Sequence, residues 1–439
     1  MSHAVPLGRL TGRLLLIAFG LLMPLLLLEL GVRVVGLGPP SEPNPAIWEP
    51  HPLFGWWHIP YSGGTFHSDF NEFEAGVHIN ARGLRDREIG YDNPNEALRV
   101  LSLADSFGEA LQVELEQTYH KQLEALLVDS LGRPVEVLNA GVGGWGTDQE
   151  AVFYVAEGFR YQPDLILLAF FIRNDAVNNY GPLEIARNGG SQEKQFFTLA
   201  ADGRLVPPPL EQEGEIEAGS DPVVDAVSAP AFQPGLRRSG RGDGPPLLGL
   251  ADGLWRTSAL YRFFTPYLRD VPTVLHRLGP SGILGGEAVI RARHPDTPIP
   301  FFVYQSPPDE RFEAAWRLTE AIIARLDDEV KSRGAQLVVV IIGAPEQVSP
   351  AAWERTLAAN PAMQNLTWDL DAPNDRLKQF LAAEQIPHLD LLPIFRQAAA
   401  RPASAPLHFQ HDQHWTPAGH RLAAETLRDF LVSEFGQAW

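Results

Sequence analysis

Five short apolar runs, separated by amphipathic stretches, constrain this chain more than any other feature. They are Leu98–Leu103, Val135–Leu138, Leu165–Phe171, Gln336–Ile342 and Pro387–Leu391. Helical spacing marks the segments between them, among them Thr118–Leu131, stopped by Gly132, Asp309–Arg333, closed by Gly334, and Asn374–Glu384. A last helix opens at Thr416-Pro417, a Thr cap followed by Pro in the first turn, and runs to about Glu434. Such alternation implies β-α-β units, hence a five-stranded parallel sheet with helices between the strands. The run LILLAFF at 165–171 is apolar throughout, as a strand covered on both faces requires. In open sheets of this class, ligands bind at the carboxyl ends of the strands. A functional motif should therefore follow a strand directly.

Four motifs meet that test. Ala104-Asp105-Ser106-Phe107 follows the first run, and Asn139-Ala140-Gly141-Val142-Gly143-Gly144 the second. Arg173-Asn174-Asp175 follows the third, and His411-Asp412-Gln413-His414-Trp415 follows the fifth. Their residue types suit acyl transfer through serine. A serine hydroxyl is a weak nucleophile at neutral pH and needs a base, which in turn needs an orienting group. Ser106 supplies the hydroxyl, His414 the base and Asp412 the orienter. The N–H groups of Ser106 and Gly144 and the amide of Asn174 are candidate oxyanion donors, with Gly141 and Gly143 as alternatives to Gly144. Asp105 reads as a brace for the turn, Trp415 as a packing residue, and Arg82 and Arg85 as partners in structural salt bridges.

Taken in order, Asp-Ser-Phe, Asn-Ala-Gly-x-Gly-Gly, Asn-Asp and Asp-x-His-Trp resemble the SGNH/GDSL hydrolase superfamily over about residues 98–180 and 335–439. The segment from Asn80 through Arg82, Gly83, Leu84 and Arg85 is similar to its membrane-anchored bacterial members. The resemblance implies a flavodoxin-like three-layer α/β/α fold and hydrolysis of esters, often acetyl groups on carbohydrate. It implies Ser106 as nucleophile, Gly144 and Asn174 as oxyanion donors, and His414 with Asp412 completing the triad. Two departures stand out. Ala104 replaces the usual Gly, and Asp412 lies two residues before the His where three is commoner. The shorter spacing with Trp415 is similar to members handling O-acetyl groups on extracellular polysaccharides, some of which transfer acetyl instead of hydrolysing it. Three functions are thus in play: an esterase, an O-acyltransferase modifying an envelope polysaccharide with the same triad, and a non-catalytic anchored scaffold.

Composition narrows the rest. With no Cys in 439 residues, disulfides, Cys-based zinc sites and Cys nucleophiles are excluded. A formal net charge of -19 repels phosphates and argues against a nucleic-acid partner. The set His408, His411, His414 and His420 lacks metal-site spacing, so no metal or cofactor is expected.

Residues 14–28, LLLIAFGLLMPLLLL, carry no charge, and extension to Leu37 makes a helix long enough to span a bilayer. Pro24 is tolerable there, and Glu29 and Arg33 can pair four residues apart. No small-x-small cleavage site follows, so an uncleaved anchor is expected over a signal peptide. Arg9 and Arg13 precede the run, placing residues 1–13 in the cytoplasm and the rest outside, as for a bacterial inner-membrane protein with a periplasmic or extracellular domain. Residues 38–97 read as a Pro-rich linker, 38–52, and a β-rich lead-in whose hairpin covers the core. The hydrolase domain then occupies 98–180 and 299–439. Between them, 181–298 reads as an insertion with helices around Leu254–Leu268 and a partly disordered middle.

Overall fold

A computed structural model describes residues 7–188, 192, 194–208, 245–292, 297–402, 404–437 and 439. The middle of the expected insertion, 209–244, lies outside the described residues. Two compact units form. One gathers Met1–Pro43, His67–Glu72 and Gly242–Ala292, and the other gathers Asn44–Phe66, Phe73–Arg241 and Arg293–Trp439.

The larger unit is built on a five-stranded sheet of β1 (Leu98–Ala104), β2 (Val135–Gly141), β3 (Leu165–Phe171), β4 (Gln336–Ile342) and β5 (His388–Asp390). The order across the sheet is β5-β4-β3-β1-β2, which is the flavodoxin-like order. The pairs are parallel, with Leu98 opposite Val135, Val100 opposite Leu165, Gln336 opposite Leu165 and Val339 opposite His388. All five expected strands form. β2 runs three residues further than its apolar run, through Asn139-Ala140-Gly141, because the polar Asn139 is fully buried and hydrogen-bonded there. β5 is shorter than its run because only three residues pair with β4.

Side chains alternate across the strands and fill two cores. On β3, Ile166, Leu168 and Phe170 face one core with Trp316 and Leu326 of the helix Glu310–Ser332 and Phe153 of the helix Thr147–Ala156. Leu165, Leu167, Ala169 and Phe171 face the other, with Leu123 and Leu127 of the helix Tyr119–Leu131 and Leu427 and Leu431 of the helix Pro417–Phe435. Helices on both faces make three layers. The last helix starts as expected: Thr416 caps it by accepting from Gly419 N–H at 3.3 Å, with Pro417 in the first turn.

The covering hairpin starts earlier than expected. Trp48–His51 pairs with Gly55–His58, so part of the expected linker is strand. The cause is aromatic burial: Phe54 and Trp57 pack against Trp145 and Phe153, with the Trp57 and Trp145 rings stacked 5.3 Å apart. Within the smaller unit, the helix Leu7–Val35, α1, is accompanied by the helices Leu248–Thr257, α2, and Ala259–Arg269, α3. Residues 15–35 of α1 are long and apolar enough to cross a membrane.

Leu168 is fully buried at the centre of the sheet. Leu168→Ala should lower unfolding free energy by about 2–5 kcal/mol, read as a shifted denaturation midpoint with an unchanged denaturant slope.

Candidate active site

The site lies where β1, β2 and β3 end. β1 delivers the chain to Asp105, whose carboxylate accepts from Phe107 N–H at 2.9 Å and caps the short helical turn Ser106–Glu109. Asp105 is therefore the brace expected of it. The cap sets Ser106 at the head of the turn, half-buried, with Phe107 turned inward against Phe171 and Trp415.

The turn is pressed onto the end of β2. A Cβ at Gly141 would fall 2.4 Å from Glu109 N, so only glycine fits this approach. Asn139 ties the pieces together. Its amide donates to Gly108 O at 2.9 Å, and its Oδ1 accepts from Gly141 N–H at 2.9 Å. Beyond it, Gly144 adopts φ +77°, a left-handed conformation that a side chain would strain. The Gly143 carbonyl accepts from Trp56 Nε1 at 3.0 Å, and that of Gly144 accepts from Asn178 Nδ2 at 2.7 Å. With both carbonyls held from outside, the loop's orientation is set.

The His block closes the site from the other end of the chain. Phe409 N–H donates to His414 O at 2.9 Å, Thr416 N–H to Leu407 O at 3.0 Å, and Gln413 turns at φ +73°. In this tight loop the Asp412 carboxylate folds back: Oδ1 accepts from His414 N–H at 3.1 Å and lies 2.8 Å from Nδ1. The opposite ring nitrogen, Nε2, is 2.8 Å from Ser106 Oγ. Ser106, His414 and Asp412 thus stand in one hydrogen-bonded line. Trp415 is buried and stacks on Phe395 at 5.2 Å, a packing residue under the loop.

Electrostatics follow from the geometry. Burial pushes His414 down, but the charge of Asp412 and its hydrogen bond, aided by Asp105, raise the imidazole above its ordinary value. Burial pushes Asp412 up, yet the imidazole and its hydrogen bonds hold the carboxyl below the usual range. Such a pair favours imidazolium, the state that forms when a hydroxyl gives up its proton.

Asn174 is half-buried beside Ser106's turn and donates through Nδ2 to Asp105 Oδ2 at 3.1 Å. One amide hydrogen is thereby committed to the brace, leaving the other for a ligand. Several neighbours had no signal in the sequence. Gln112 Nε2 reaches Asp412 Oδ2 at 3.4 Å. Arg173, adjacent to Asn174, donates to Gln413 Oε1 at 2.7 Å and to Glu346 Oε2 at 3.2 Å, and Tyr304 OH reaches Glu346 at 3.2 Å. Glu346 was partly legible, since it follows the Gly343-Ala344-Pro345 end of β4. Glu109 accepts from Trp48 Nε1 and bonds His58 Nε2, both at 2.7 Å, so the hairpin grips the Ser106 turn.

Arg85 corrects one expectation. It makes no salt bridge among the described residues; it is buried and donates to the carbonyls of Glu109, at 2.7 Å, Ala110 and Val113. The stretch after the Ser106 turn turns three carbonyls toward Arg85, and a guanidinium's forked donors suit several at once. Arg82 lies over the Tyr91 ring at 3.8 Å, also without an ion pair among the described residues. His420 is buried and accepts from Tyr119 N–H at 3.2 Å, and burial pulls it down to about 3.

Residues 302–437 match a family model described as the SGNH hydrolase-like domain of the acetyltransferase AlgX. That stretch carries the His414 and Asp412 block, which meets Ser106 from the other end of the chain. Residues 302–437 are thus similar to an SGNH hydrolase-like domain, the family that the four motifs resemble. Solved structures similar to it include an acylhydrolase from Bacteroides fragilis NCTC 9343, 11% identical, covering 79% of this chain and 91% of that one at a TM-score of 0.33. A GDSL-like lipase from Bacteroides thetaiotaomicron VPI-5482 is 9% identical, covering 79% and 92% at 0.33. A catalytic mutant of Axe2, an acetylxylan esterase from Geobacillus stearothermophilus, is 10% identical, covering 76% and 93% at 0.34. The fold assignment stands on strand order and not on these overlaps. A comparison with curated proteins finds no match.

Behind Ser106, the side chains of Asp105, Glu150 and Asp175 are all fully buried. Burial, then mutual repulsion with Asp105, drives Glu150 and Asp175 well above the carboxylate range. Glu150's oxygens have no hydrogen-bond partner among the described residues. A carboxyl raised on folding stabilises the protein below its unfolded value, near 4.5, and loses that contribution as pH rises through its folded value. Glu150→Gln should therefore raise the melting temperature by a few degrees at about pH 8, with the gain shrinking towards about pH 4. Thermal scans across that range read the difference.

Proposed function

We propose that this chain is a membrane-anchored, extracytoplasmic serine esterase that cleaves acyl esters, O-acetyl groups on carbohydrate among them, through an acyl-serine intermediate. The observation that carries the reading is the line Ser106 Oγ, His414 Nε2, His414 Nδ1, Asp412 Oδ1, with 2.8 Å at both steps. Ser106 Oγ attacks the ester carbonyl while His414 takes its proton. The negative oxygen that forms is met by the N–H groups of Ser106 and Gly144 and the free amide hydrogen of Asn174. His414 then gives its proton to the departing alkoxide, leaving acyl-Ser106 and the alcohol. Water, activated by the same imidazole, releases the acid and restores the serine. Asp412 keeps Nδ1 protonated throughout. The route uses no cofactor or metal.

A second reading has its own support. The family model matched over 302–437 is described as an acetyltransferase. If a carbohydrate hydroxyl replaces water in the second half, the same site transfers acyl instead of releasing it. Product analysis with and without a carbohydrate acceptor separates the two: free acid supports hydrolysis, and acylated glycan supports transfer.

The anchored part of the proposal rests on the apolar helix Leu15–Val35. It puts α1 in a bacterial inner membrane with the catalytic unit in the periplasm or outside the cell. Carbonate-resistant sedimentation of the full chain supports that, and release into the supernatant contradicts it.

Ser106→Ala should abolish labelling by a fluorophosphonate and cut ester turnover by a factor on the order of 10³ or more. Retained turnover would sink the proposal. Asn174→Ala should lower kcat by about 10²–10³ with little change in KM. The imidazole must be neutral to act as base, so kcat/KM should rise with pH through an inflection above 6.5. In Asp412→Asn the inflection should move down in pH and the plateau should fall by about 10²–10⁴.

A further inference from the structure

The smaller unit holds a polar junction that an anchor alone does not require. Glu29 lies inside α1, yet its carboxylate caps the start of α3. Oε1 accepts from Ala259 N–H at 2.8 Å, and Oε2 accepts from Leu260 N–H at 2.9 Å and Ser258 Oγ at 2.8 Å. Arg33 bonds the same carboxylate at 2.6 Å and reaches the Thr257 carbonyl. Arg262 returns from α3 to the Pro39 carbonyl at 2.9 Å, and Asn71 Nδ2 donates to Leu37 O at 2.8 Å. The expected Glu29–Arg33 pair is present, and it doubles as an N-cap for an 11-residue helix.

Depth is the consequence. Glu29 precedes the end of α1 by six residues, about 9 Å along the axis. Glu29 is the first charge after the uncharged run 14–28, and a charge near the end of a spanning helix is held at the boundary between acyl chains and headgroups. α3 therefore begins at the boundary and not above it.

Its composition suits that level. Leu260, Phe264, Tyr267, Leu268 and Val271 recur at helical spacing, and Phe264 and Tyr267 are 46% and 44% exposed. On α2, Leu247, Leu250 and Leu254 follow the same period, and Leu250 is 54% exposed. Asp252 lies on the opposite side of α2 and is exposed. Two neighbouring helices that each hold an exposed apolar stripe are costly to leave in water, and aromatic side chains are favoured at membrane interfaces.

We propose that α2 and α3 form an interfacial platform: their apolar stripes lie in the acyl–headgroup boundary of the bilayer that α1 spans, and Glu29 locks them to it. The partner is the lipid surface itself. The inference rests on the anchor reading above, and it adds that a second part of the chain, more than 200 residues later, binds the same membrane.

The absence of Cys makes the test clean. Single-Cys variants of the full chain, Leu250→Cys, Leu268→Cys, Leu22→Cys and Asp252→Cys, are labelled with an environment-sensitive fluorophore. They are reconstituted into phosphatidylcholine vesicles containing lipids brominated at defined depths, and fluorophosphonate labelling reports that each is folded. The platform predicts roughly twofold quenching at 250 and 268 by shallow bromines, quenching at 22 by deep ones, and quenching at 252 by aqueous iodide only. Quenching at 22 with 250 and 268 open to iodide overturns the platform and leaves the anchor standing. No lipid quenching at 22 overturns the anchor and the platform with it. Protection of 250 and 268 from both lipid and iodide also overturns it, since protein, such as a second copy, would then cover the stripes.

Discussion

The site depends on β1 lying between β2 and β3, with all three strands parallel. Parallel strands end together, so the turns that follow them converge on one edge. The hydroxyl after β1, the glycine loop after β2 and the amide after β3 meet without any long side chain having to reach. Only the imidazole must be imported, and the loop before the last helix supplies it across 308 residues. If β1 lay at the sheet's rim, Ser106 would have a neighbour on one side only, and the oxyanion loop and Asn174 could not flank it together.

Convergence brings polar groups into a dry place, and the fold answers by tying them to one another. Asp105 serves two ends of the site, capping the turn of Ser106 and holding one hydrogen of Asn174. Asn139 spans β2 and the Ser106 turn, while Arg85 gathers the carbonyls behind it. Trp48 and His58 of the hairpin both bond Glu109 and so clamp the same turn. Buried hydrogen-bond networks of this kind restrict side chains to one arrangement. Glu150 is an exception, buried beside two further acids with neither oxygen hydrogen-bonded among the described residues. Negative charge nearby also favours the protonated imidazole, as the Asp105 effect on His414 illustrates.

The smaller unit follows another logic. Its helices keep apolar stripes outward, the reverse of the larger unit, where the sheet is covered on both faces. On the proposed anchoring the difference is one of solvent: a water-facing unit buries such stripes, whereas a unit at a bilayer has a second apolar phase to use. A carboxylate in the outer part of an apolar helix is tolerable only when its charge is fully met, and Glu29 receives three donors from the start of α3 as well as Arg33.

Much of this was legible in the residues. The five strands, the last helix with its Thr416 cap, the turn role of Asp105 and the packing role of Trp415 follow from periodicity, capping and turn chemistry, which act over a few residues. The three polar groups of the line Ser106–His414–Asp412 could also be named, because each stands directly after a strand or in the loop before a helix. The hairpin's early start, the cage around Arg85, the reach of Gln112 to Asp412, the Arg173–Glu346 brace and the cap that Glu29 gives to a helix beginning at residue 259 could not. Each joins segments far apart in the chain through contacts that no local pattern records. Local sequence thus determined which elements form and which residues end at the sheet's edge. The tertiary structure alone decided which distant partners meet there, because a hydrogen bond is specified by two atoms within about 3 Å, a condition only the folded chain imposes.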